Sequence, residues 1–86
     1  LFQYLNKNIN YPVVPQEQGI QGKVIIQFVV DRDGTITDPV VVRSVDPYLD
    51  KEALRVIKAM PKWTPGMQRN QAVRVKYTVP VTFRLQ

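Results

Sequence analysis

Apolar and polar side chains alternate through "VRVKYTVPVTFRL", residues 73 to 85, with Val73, Val75, Tyr77, Val79, Val81, Phe83 and Leu85 on one side. A period of two predicts a strand with one buried face. A second strand is predicted over "KVIIQFVVD", from Lys23 to Asp31, where Val24, Ile26, Phe28 and Val30 line one side and Ile25 and Val29 the other. A strand apolar on both sides belongs in the middle of a sheet. "DRDG" follows, with Gly34 able to take the positive φ of a tight turn, and "TITDPVVVRSV" returns as the second arm of a hairpin.

Helical spacing occurs twice. In "DPYLDKEALRVIKAMPKW", Leu49, Ala53, Val56, Ile57 and Met60 recur on one face. Asp46 stands as N-cap, Pro47 at the first helical position, Asp50 and Glu52 near the positive end, and Pro61 as the stop. "LFQYLNKNIN" places Leu1, Phe2, Leu5 and Ile9 at a spacing that suits a shorter helix ending near Asn10. "YPVVPQEQGIQG" reads as a loop with one helical turn started by Pro15, and "PKWTPGMQRNQA" as a loop leading to the last strand.

Helix, hairpin, helix and strand in that order predict an α+β fold, with two helices packed on one face of a three-stranded antiparallel sheet. Residues 1–86 form one domain with no internal linker or repeat. Proline inside a sheet is confined to edges, strand starts and bulges, so Pro80 makes the last strand an edge. If its nitrogen points outward, the N–H and C=O groups of Arg74, Lys76, Thr78, Thr82 and Arg84 point outward too. An incoming peptide could pair with Arg74, Lys76 and Thr78 and would meet a missing donor at Pro80. The same proline and the edge charges would also guard against aggregation.

Composition narrows the chemistry. The 86 residues contain neither cysteine nor histidine, which excludes thiolate catalysis, disulfides, the usual zinc sites and histidine bases. The carboxylates each have a structural reading, on a turn (Asp31, Asp33), beside a proline (Asp38) or at a helix start (Asp46, Asp50, Glu52), so no enzyme, metal or cofactor is expected. "DRDGTI" fails as a calcium loop, because Val29 and Val40 fall where its first acid and its bidentate glutamate belong. The net charge is +5, and no acid follows Glu52. Lys51, Arg55, Lys58 and Lys62 share one helical face, a solvated face or a landing strip for an anionic partner. The aromatics Tyr77 and Phe83 share the apolar side of the last strand and read as core rather than as base-stacking platforms. A small basic nucleic-acid-binding module therefore remains only as an alternative, and no nucleic acid is expected.

"NYP" at 10–12, "GIQGKVIIQFVVDRDGTI" at 19–36, the helix through "ALRVIKAMPKW", "WTPG" at 63–66 and the closing strand together resemble the C-terminal domain of TonB. The resemblance implies a periplasmic energy-transducing domain. Its parent is anchored in the inner membrane by an N-terminal helix, joins ExbB and ExbD, and couples the proton motive force to import. It also implies capture of the TonB box of outer-membrane transporters as an added strand. Carried over, the docking edge is Val73, Arg74, Val75, Lys76, Tyr77, Thr78 and Val79, with Asn10, Tyr11 and Pro12 beside the docked segment. A family arginine that contacts the transporter falls on Val14, and Arg74 or Lys76 are the cations available instead. The absence of an initiating methionine agrees with a fragment of a longer chain. A homodimer through the Ile25 and Val29 face or the free edges is a further expectation, as is a different parent, a periplasmic sensor with a TonB-like tail.

Overall fold

The computed structural model describes residues 2–85. Its centre is β1 (Gly22–Val30), whose buried residues Val24, Ile26, Phe28 and Val30 alternate with half-buried Ile25, Gln27 and Val29. A hairpin joins it to β2 (Ile36–Arg43), and β5 (Val75–Phe83) pairs along its other side, giving an antiparallel sheet of order β2-β1-β5. The expected alternation of β5 is realised, with Val79, Val81 and Phe83 buried and Lys76, Thr78 and Thr82 exposed.

The turn between β1 and β2 is closed by the Gly34 N–H donating to the Asp31 carbonyl at 2.9 Å and the Asp31 N–H to that of Thr35 at 2.8 Å. Asp33 Oδ1 accepts the Thr35 N–H at 2.9 Å, which locks the turn locally. Gly34 has φ +87, and a Cβ there would lie 2.1 Å from the Trp63 carbonyl oxygen. Both the backbone angle and the close approach therefore require glycine.

Helix α1 (Phe2–Asn8) and helix α3 (Pro47–Lys58) cover one face of the sheet. Leu1, one of the apolar positions behind the first helix, lies outside the described residues, as does the side chain of Phe2. The Asp46 side chain caps α3 as expected, accepting from the N–H groups of Tyr48 at 2.9 Å and Leu49 at 3.2 Å. Leu49, Ala53, Val56 and Ile57 are fully buried against the sheet, joined by Leu5 of α1. The Leu, Val and Ile side chains among them each contribute about 1.5–3 kcal/mol by burial, the Ala53 methyl less. Helix α3 ends at Lys58, before the expected stop at Pro61, so Lys62 lies beyond the helix and leaves the face assigned to it.

Three features depart from the pattern read in sequence. A third helix, α2 (Val13–Glu17), follows Pro12 at the N-cap position rather than starting at Pro15, which sits buried at its third position, where no intrahelical N–H is needed. The segment expected as loop holds a second, two-stranded sheet, β3 (Gly66–Gln68) with β4 (Gln71–Val73). Its connection is Arg69-Asn70, with φ of +52 and +64, the left-handed pair of a type I′ turn. The last strand is accordingly not continuous from Val73. Val73 pairs with Gly66 in the small sheet, Arg74 belongs to neither strand, and the edge strand begins at Val75.

Candidate functional site

The two edges of the main sheet differ. β2 is irregular: its register against β1 shifts twice, between the partners of Ile25 and Ile26 and again between those of Gln27 and Val29. Asp38 has φ +54 there and is followed by Pro39, so this edge bulges and lacks a donor. Bulges and prolines are the devices that stop an edge from recruiting another strand. β5 has neither fault over most of its length. It pairs with β1 without a register shift from Gly22↔Phe83 to Val30↔Val75, and its other side carries no partner strand among the described residues.

The register also fixes which groups of β5 are free. Pro80 lies opposite Ile25, inside an unbroken ladder. In an antiparallel pair, alternate residues exchange both backbone bonds, and a residue without an N–H cannot stand in such a position without breaking the ladder. The bonded positions are therefore the odd-numbered ones, including Val79 and Val81, and the N–H and C=O groups of Lys76, Thr78 and Thr82 point to the open side. Pro80 offers only its carbonyl there. Lys76, Thr78 and Thr82 also carry their exposed side chains on the sheet face away from the helices.

Of the residues expected at the docking edge, Val75, Lys76, Tyr77, Thr78 and Val79 lie on this strand, while Val73 and Arg74 do not. The Arg74 guanidinium instead stands 3.7 Å from Asp31. Tyr77 is turned inward, stacked on Phe28 at 6.0 Å and tilted against Trp63 at 5.0 Å. Trp63 meets Phe28 edge-on at 5.4 Å, so the Val75 end of β5 rests on a rigid aromatic cluster.

Asn10, Tyr11 and Pro12 lie at the other end. The Tyr11 ring meets Phe83 edge-on at 5.6 Å, and its hydroxyl donates to the Ile20 carbonyl. The Asn10 N–H donates to Glu52 Oε2 at 2.6 Å. Arg55 grips the same carboxylate with two donors, Nε at 2.6 Å and Nη2 at 2.8 Å, and Nη2 also reaches the Asn8 carbonyl at 3.1 Å. The Arg55 side chain, followed by the Asn10 N–H, holds the Glu52 carboxyl below its ordinary value, and Glu52 in turn pushes the Arg55 guanidinium further up. Arg55 is therefore a clamp between α3 and the chain leaving α1, and the basic face expected on α3 keeps only Lys51 and Lys58 as helical cations.

The clamp was not legible in the sequence, because its partners are 42 and 47 positions apart. The small hairpin was missed because its three-residue strands are too short to show a period. Its one signal was Asn70, a residue that tolerates the left-handed region.

The family described as "Gram-negative bacterial TonB protein C-terminal" matches residues 7–85. Curated TonB proteins from two strains of Helicobacter pylori are each 32% identical over 77 residues, 88% of this chain. The chain spans about a quarter of their length, 26%. Two NMR solution structures of the Helicobacter pylori TonB C-terminal domain, a longer and a shorter form, share the fold at 26% identity. The longer has a TM-score of 0.75 over 99% of this chain and 77% of its own, and the shorter 0.72 over 95% and 86%.

Proposed function

The chain belongs to the family of Gram-negative bacterial TonB C-terminal domains, and from that premise we propose that it is a force-transmitting adaptor whose β5 edge binds an extended segment of a partner as a fourth strand. The partner is an outer-membrane transporter, and the segment is its TonB box. The domain works in the periplasm as part of a longer parent, whose N-terminal membrane helix associates with ExbB and ExbD. Its task is to pass on work drawn from the proton motive force, and no reaction at a catalytic site is required of it.

The observation that carries this reading is the contrast between the edges: β2 is bulged and interrupted, whereas β5 is straight and open. Strand addition obtains its affinity from backbone bonds, which β5 can supply at Lys76 and Thr78. Each bond is worth only about 0.5–1.5 kcal/mol net, so such a segment is held firmly enough to transmit a pull yet released afterwards. Pro80, which has no N–H, marks where pairing from the Val75 end stops.

The reading is tested by titrating the isotope-labelled domain with a synthetic TonB-box peptide and following backbone amides. The expected result is that shifts concentrate on Lys76, Thr78 and their β5 neighbours. Shifts centred on Lys51 and Lys58, or none on β5, would overturn it. Pro80→Ala is expected to extend the paired length toward Thr82, seen as new protection of the amides at positions 80 and 82 against solvent exchange.

A further inference from the structure

The hairpin formed by β3 and β4 stands at the Val75 end of the proposed docking edge. It joins β5 through Arg74 alone, and the start of β3 lies against β5, where a Cβ on Gly66 would come within 2.5 Å of the Val75 side chain. Beyond that contact it projects: Met67, Gln68, Arg69, Asn70 and Gln71 are all exposed, with Met67 at 61%. A two-stranded ribbon of this size gains little stability by itself.

Its tip carries a second peculiarity. Both central residues of the type I′ turn have positive φ, a conformation that favours asparagine, aspartate and glycine, yet the first of them is Arg69. A non-glycine residue held there carries a backbone cost, and such costs cluster at ligand clamps. The surroundings show what charge it would meet. At this end of the molecule stand Arg32, Lys62, Arg69, Arg74 and Lys76, opposed among the described residues by Asp31, which lies against Arg74, and Asp33, whose carboxyl is lowered chiefly by the Thr35 N–H and also by Lys62. Arg69 and Lys76 keep no carboxylate partner within ion-pair distance among the described residues.

We propose that this hairpin is an arm that engages the flank of the docked segment, with Arg69 pairing to an acidic side chain just beyond the residues held on β5. The inference rests on the docking edge proposed above and adds to it a preference among partner segments: those with aspartate or glutamate on the flank that overruns Val75 bind better. Guanidinium and carboxylate match as paired donors and acceptors, and the hairpin's slight attachment lets it adjust to the flank.

The test uses three synthetic peptides: a TonB box alone, the same box with two aspartates added before it, and with two added after it. One extension, the one that leaves β5 past Val75, is expected to tighten binding about three- to ten-fold at low salt, the range for a pair of exposed charge contacts. That gain disappears in high salt, and the Arg69 and Asn70 amides shift only with that peptide. Arg69→Asn removes the charge while suiting the turn, so the hairpin persists and the gain is lost. If the bare box binds on β5 but neither extension improves it, or if the gain survives in Arg69→Asn, the arm is wrong and the docking edge stands. If the bare box does not bind on β5, both fall together.

Discussion

Gly34 shows how much a single residue can carry in a chain this small. Its φ of +87 and its approach to Trp63 tie the β1–β2 turn to the aromatic cluster under β5, through the Trp63 N–H donating to the Gly34 carbonyl at 2.9 Å. Gly34→Ala is expected to cost at least about 2 kcal/mol, from a strained backbone and a forced displacement of the Trp63 segment. Denaturant unfolding followed by the Trp63 fluorescence measures it. Glu52 gives a pH signature. Its folded-state pKa lies below the ordinary 4.5, chiefly because of Arg55. Its contribution is therefore complete above the unfolded value and is lost as pH falls through the folded one. Unfolding titrations between pH 7 and pH 3 should show this acid loss in the native chain, and a less stable but flatter profile in Glu52→Gln.

At the scale of elements, the parity of β5 separates two substitutions that look alike in sequence. Thr78 presents its N–H to the open side, so Thr78→Pro is expected to leave the fold within about 1 kcal/mol while abolishing peptide pairing. Val79 donates into the sheet and is buried, so Val79→Pro is expected to cost about 3 kcal/mol or more. Thermal unfolding and a peptide titration on the two variants distinguish them. That parity was readable from the sequence, since the alternation around Pro80 and the two-sided apolar pattern of Lys23 to Asp31 define an edge and a centre without coordinates. The same holds for the cap at Asp46, whose side-chain oxygen and following proline act within one turn. What could not be read depended on local conformations that side-chain pattern does not encode. Asp38 takes a left-handed angle in the middle of an apparently regular strand, Arg74 interrupts an alternation that runs through it unbroken, and Arg69-Asn70 turns the chain without a glycine. Of the residues expected at a docking edge, the alternation places Val75 to Val79 on one strand as the structure does, whereas Val73 and Arg74 are displaced by the small hairpin, and no pattern in the sequence tells that Tyr11 stands at the Phe83 end.

For the molecule as a whole, the Glu52–Arg55 clamp fastens the chain leaving α1 to α3, and under the proposed function it lies on the path of a pull arriving from the N-terminal side. Arg55→Ala is expected to raise amide exchange across α1 and Asn10 more than in the sheet, because it loosens that fastening without touching the core; hydrogen exchange read residue by residue checks it. The asymmetry of the sheet has a consequence of another kind. With β2 blunted and β5 open, the main sheet has a valence of one. It can terminate a growing sheet but cannot propagate one. A second copy pairing β5 against β5 would form a closed two-fold couple, which leaves no open edge of the main sheet for a third among the described residues and occupies the position a partner needs. Crowding such a domain would therefore make it quieter rather than fibrous.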